Sequence, residues 1–182
     1  ELIDRLKSGE RADVLVLSGS SVLQTAQGAG LLNGTPVKIA GNQLVLVTAK
    51  DSAMQSAANL TGRKIAVCVI GATCNTMAER AISALGWKDM TTWQFGNVND
   101  LLDALVNGRV DAAFVFKSDA IQIADSIRTI ALPTSLNSSL HTTYFAAVTN
   151  SSVRKTAAAE FVNGFADTVE TAVLQSAGFL SN

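Results

Sequence analysis

From about residue 12 to residue 148 the chain alternates short apolar runs with amphipathic stretches of helical period. Strands that are apolar along their whole length bury both faces, and helices must cover them. This pattern predicts an α/β fold with a mostly parallel sheet. Strands are expected at Ala12–Leu17, Gln43–Thr48, Lys64–Val69, Thr91–Phe95, Val110–Phe116, Arg128–Leu132 and Thr143–Val148. Helices are expected at Ser21–Leu32, Asn75–Leu85, Val98–Asn107, Asp119–Ser126, Ser152–Phe165 and Thr168–Ser176. Gly86, Gly108 and Gly178 stand where helix-ending glycines belong.

Two segments interrupt the repeat. AGNQLVLVTAKDS (Ala40–Ser52) and HTTYFAAVTNSS (His141–Ser152) are apolar strands flanked by turn-forming residues, and they bracket a self-contained α/β block, Lys64 to Leu132. If they run side by side they are two crossings between lobes; otherwise they are two edge strands of a single sheet. The first reading divides the chain into residues 1–46 with 145–182, and residues 47–144. A length of 182 residues suits either arrangement.

With 48% apolar but only 5% aromatic residues, Ala, Val, Leu and Ile must build the core. The 14 Lys and Arg against 15 Asp and Glu contain no basic run, which argues against a nucleic-acid or acidic-membrane partner. No apolar stretch reaches the roughly 18–20 residues of a membrane span. The opening ELIDRLKSGERADVLVLS reads as a helix end running into a strand, so a trimmed N-terminus is expected.

Catalytic constellations are missing from the sequence, and an enzyme is not expected. His141 is the single histidine, and no G-x-S-x-G, P-loop or H-E-x-x-H pattern occurs. Asp100 and Asp103 fall on a solvated helix face, and Ser18, Ser20 and Ser21 read as a turn and helix cap. Cys68 and Cys74 with one histidine cannot complete a four-ligand zinc site. A disulfide closing a small loop is the better reading, and it implies an oxidising compartment; a pair of reduced thiols is the alternative.

Chemistry is best placed at three strand-to-helix turns of the middle block. The first lies in CVIGATCN, with a helix opening near Asn75. The second lies in FGNVND, with Asn97 as N-cap and Asp100 at the capping-box position. The third lies in FKSD, where Ser118 and Asp119 open a helix. Such turns present free backbone amides and the positive end of a helix dipole, which suits an anion. They fall at the carboxyl edge of one parallel block, where open α/β sheets bind ligands.

At this point GERADVLVLSGSSVLQTA, AGNQLVLVTAKDS, NLTGRKIAV, NVNDLLDALVNGRVDAAFVFKSDA and the closing AAEFVNGF resemble, in order, the molybdate-binding periplasmic proteins of ABC importers. The resemblance implies a type II periplasmic-binding-protein-like fold, two α/β lobes joined by two hinge strands. It implies a small oxyanion, molybdate or tungstate, held by neutral donors and delivered to an ABC-importer permease outside the cytoplasm, with no cofactor. Carried over residue by residue, the ligand positions are the Cys74 amide, Asn75 (where a glycine is usual), the Val98 amide, and Phe116 in place of a tyrosine. The loop CVIGATCN is one residue shorter than usual, and Phe116 lacks the hydroxyl donor. The family's first strand, helix and second strand do not precede Glu1, and a membrane tether through that segment is a further expectation. A ligand-sensing or interaction domain on the same fold is the alternative function.

Overall fold

The structure, a computed structural model, describes residues 2–58, 60–165 and 168–181, with backbone alone at residues 168–170. The elements in chain order are α1 (Leu2–Lys7), β1 (Val14–Ser18), α2 (Ser20–Gly28), β2 (Leu32–Ala49), β3 (Lys64–Cys68), α3 (Thr73–Ala84), β4 (Thr91–Phe95) and α4 (Val98–Val106). There follow β5 (Ala112–Phe116), α5 (Lys117–Gln122), β6 (Ile127–Ile130), a 3-10 turn (Thr134–Leu136), β7 (His141–Thr149), α6 (Lys155–Gly164) and α7 (Thr168–Ser176). The chain divides into two compact units, Glu1–Gly41 with Thr142–Asn182, and Asn42–His141. It passes from one unit to the other inside β2 and again at the start of β7.

In the middle unit the strand order is β6-β2-β5-β3-β4. Strands β3, β4 and β5 are parallel, with Ile65 opposite both Thr92 and Ala112. β2 runs antiparallel to β5, pairing Leu44 with Phe116 and Leu46 with Phe114, and antiparallel to β6. One face of this sheet packs Leu44, Leu46, Ile65, Val67 and Phe114 against Met77, Ala78 and Ala81 of α3. The other packs Val47, Ala66, Ala113 and Val115 against Leu101, Leu102 and Leu105 of α4. Successive β5 residues thus serve opposite layers, as strand geometry requires. Both helices end on a glycine in the left-handed region. For α3, Gly86 (φ +63°) lets its amide reach the Ser83 carbonyl at 3.1 Å and Trp87 reach Ile82 at 3.2 Å, a Schellman stop.

The terminal unit is smaller. β1 pairs antiparallel with β7, Val16 opposite Ala146, and β7 lies between β1 and β2. Ile39, Ala146 and Val148 pack with Ala158 and Val162 of α6, while Leu15 and Leu17 pack with Ala26 of α2.

Three expectations are corrected. The sheet is not mostly parallel: β1–β7, β2–β5 and β2–β6 are all antiparallel. Strands apolar on both faces signal cover by helices, and a mixed sheet meets that requirement as well as a parallel one. β2 begins at Leu32, eleven residues before the expected Gln43. Its first half, LNGTPVKIAG, carries Gly34 at φ +78° and Pro36, and Asn33, Gly34 and Thr35 are exposed in succession, so it shows no alternation to read. Helices α2 and α5 end four residues earlier than expected, at Gly28 and Gln122.

Candidate functional site

Because β3, β4 and β5 are parallel, their carboxyl ends meet along one edge of the middle unit, and each leads into a helix. After β3 the chain turns through Gly71 (φ +89°), a backbone conformation that glycine adopts without strain, and enters α3. Cys68, the last residue of β3, is disulfide-bonded to Cys74 in the first turn of α3. The Asn75 side chain repeats the link, donating from Nδ2 to the Cys68 carbonyl at 3.1 Å. Asn75 is buried, and its backbone amide bonds the Ala72 carbonyl at 3.1 Å. It therefore braces the turn and is not among the residues lining the adjacent cavity.

After β4, Asn97 caps α4 as the sequence predicts. Its Oδ1 accepts from the Asp100 amide at 2.9 Å, and its Nδ2 donates to the Asp100 carboxylate at 2.7 Å. Removing this cap with Asn97→Ala should destabilise the middle unit by about 1 kcal/mol, read as a lower urea midpoint. At the third turn the expectation for Ser118 is corrected. α5 opens at Lys117, and Ser118 is buried, its Oγ accepting from Asn42 Nδ2 at 2.9 Å. Its hydroxyl is committed to the interior and does not cap the helix.

These turns line a partly open cavity of about 210 Å³, whose walls include Cys68, Cys74, Val98, Phe114, Phe116 and Asp119. Three of the four predicted ligand positions, Cys74, Val98 and Phe116, are thus brought to one space. Cys74 is the second residue of α3 and Val98 the first of α4. Among the described residues neither amide has a hydrogen-bond partner, as expected in a first helical turn. Each helix directs the positive end of its dipole to its own start. Phe116 is half-buried on the cavity wall, and its side chain has no hydrogen-bond donor.

Asp119 is the residue that sequence reasoning passed over. It was read as part of a helix opening, yet it lies in the cavity wall. Burial pushes its carboxyl above the ordinary carboxylate range, partly offset by a hydrogen bond from the Phe116 backbone. That bond is the ordinary reach of a third-position acid back to the residue before its helix. Nothing in the linear pattern separates such a cap from a wall residue; only the convergence of the three turns does. Among the described residues no group of three or more His, Cys, Asp or Glu is placed to hold a metal, and no helix is long and apolar enough to cross a membrane.

The profile of a family described as bacterial extracellular solute-binding protein matches residues 1–180. The molybdate-binding protein ModA of Mycobacterium tuberculosis is 30% identical over 137 residues, 73% of this chain and 52% of that protein. The chain thus spans about half the length of the curated relatives it matches. Among solved structures, the periplasmic molybdate-binding protein of Azotobacter vinelandii superposes with a TM-score of 0.80 at 16% identity, covering 100% of this chain and 83% of that one. The substrate-binding domain of a putative molybdenum ABC transporter from Clostridium difficile gives 0.76 at 22% identity, covering 100% and 82%. The chain belongs to the bacterial extracellular solute-binding proteins and has the type II periplasmic-binding-protein fold.

Proposed function

We propose that this chain is the ligand-holding part of an exported carrier for a small tetrahedral oxyanion of the molybdate and tungstate class, which it hands to an ABC-importer permease. The observation that carries the reading is the pair of unpartnered first-turn amides, Cys74 and Val98, on the wall of one cavity. Backbone amides at helix starts stabilise an anion without a neutralising cation, and among the described residues no Lys or Arg lines this space. The mycobacterial relative, whose name records molybdate binding, supports the ligand class. The Cys68–Cys74 disulfide supports a location outside the reducing cytoplasm. A family of solute-binding proteins also supports a binding role over an enzymatic one.

Calorimetric titration of the full-length protein with molybdate, tungstate and sulfate tests the reading, and Phe116→Tyr sharpens it. A hydrogen bond to a charged partner contributes about 1.5–3 kcal/mol, so the added hydroxyl should tighten oxyanion binding roughly 10–100-fold. Equal affinities for both proteins would show that position 116 does not face the ligand. Failure of the wild type to bind any of the three would remove the oxyanion assignment.

A further inference from the structure

The cavity that serves the oxyanion reading contains a feature that opposes it. Of the thirteen described residues on its wall, Asp119 alone is titratable, because Cys68 and Cys74 are joined in a disulfide. β3 contributes Cys68, the start of α3 Cys74, the start of α4 Asn97 and Val98, and β5 Phe114, Val115 and Phe116. The charged residues closest in sequence on those elements, Asp100 of α4 and Lys117 of α5, are exposed and lie off the wall. Among the described residues no cation forms an ion pair with Asp119. Asp119 shares this cavity wall with the Cys74 and Val98 positions, so a dianion held there and an ionised Asp119 would repel. One proton placed between them removes that repulsion and creates a short, charge-assisted hydrogen bond.

We propose that anion binding here is proton-coupled through Asp119, which makes Asp119 the residue that sets which protonation state of an oxyanion the cavity accepts. The inference rests on the oxyanion reading above and deepens it. A fully deprotonated dianion such as sulfate or molybdate binds with uptake of one proton from solvent, which ends on the Asp119 carboxylate and is donated to an anion oxygen. An anion that keeps a proton of its own, such as hydrogen phosphate, donates that proton to ionised Asp119 and needs none from solvent. The raised carboxyl of Asp119 acts in the same direction, since its protonated form persists to higher pH than that of an exposed aspartate.

The test is calorimetry of the full-length protein in two buffers of different ionisation enthalpy, with sulfate, molybdate and phosphate, across pH 5 to 8. About one proton should be taken up per sulfate or molybdate in the upper part of that range, and close to none per hydrogen phosphate. Sulfate does not titrate there, so its Kd should weaken about tenfold per pH unit once Asp119 ionises. Asp119→Asn keeps an acceptor for the Phe116 amide and carries no charge. It should bind sulfate with a flat pH profile, and at least tenfold tighter than wild type at pH 8. The proton count on the wild-type protein stands whether or not the variant folds. Anion binding without proton uptake, or parallel pH profiles for the two proteins, would overturn the inference and leave the oxyanion carrier standing. Absence of binding by either protein at every pH would overturn the oxyanion reading itself, and the coupling with it.

Discussion

Phe114→Ala should destabilise the middle unit by about 3–5 kcal/mol, the range found for emptying a buried aromatic site. Phe114 is fully buried at the centre of β5 and has the largest side chain among the unit's fully buried residues. It packs in one cluster with Leu44, Leu46, Ile65 and Met77, and its ring centroid lies 6.3 Å from that of Trp87. Strand residues on both sides limit how far the site can collapse, which places the cost high in the range. The measurement has a convenient reporter. The chain's two tryptophans, Trp87 and Trp93, both belong to this unit, so urea unfolding followed by their fluorescence reads it alone. This matters because two units need not unfold in a single transition. Val106→Ala is the matched control, since Val106 lies on α4 of the same unit and is 46% exposed. Its change should stay within about 0.5 kcal/mol. Comparable midpoints for the two variants would mean that Phe114 does not occupy the core described.

Much of this architecture was legible in the sequence, and the reasons are local. β3, α3, α4 and β5 each carry an apolar run or a helical period, bounded by Gly86, Asn97 and Gly108, and these elements and β4 were each placed within about two residues. Asn97 and Asp100 were readable as a cap because that signal depends only on residues three apart. Strand direction was not readable: whether β2 runs with or against β5 depends on contacts between residues some seventy positions apart. The first half of β2 was lost for a related reason, since a strand that opens on exposed Asn33, Gly34 and Thr35 and contains Pro36 looks like a loop until its partners are known. At the site, the amides of Cys74 and Val98 could be placed because helix starts are visible in sequence. The inward turn of Ser118 toward Asn42, and the place of Asp119 on the cavity wall, follow from how β5 meets the elements beside it.

Loss of the Cys68–Cys74 disulfide should both lower stability and weaken anion binding, and the two effects have separable causes. The bridge joins residues six apart, and constraining so short a loop in the unfolded chain contributes about 2–2.5 kcal/mol by loop-closure entropy. The binding effect arises in the folded state. The bridge spans the turn that presents the Cys74 amide, and a turn freed of it must be ordered again when the ion arrives. Re-ordering one backbone residue costs about 1–2 kcal/mol, or roughly tenfold in affinity. The loss should stop near that value, because Asn75 Nδ2 on the Cys68 carbonyl still ties the same two ends together. Cys68→Ala/Cys74→Ala should therefore bind molybdate about tenfold more weakly, with the urea midpoint lowered. Adding Asn75→Ala should deepen the binding defect by more than it does in the oxidised protein. Reduction of the wild type, verified by a mass gain of two hydrogens, should reproduce the double variant. If affinity is unchanged while the midpoint falls, the disulfide acts on the unfolded chain alone, and the turn is ordered by Asn75 and the start of α3.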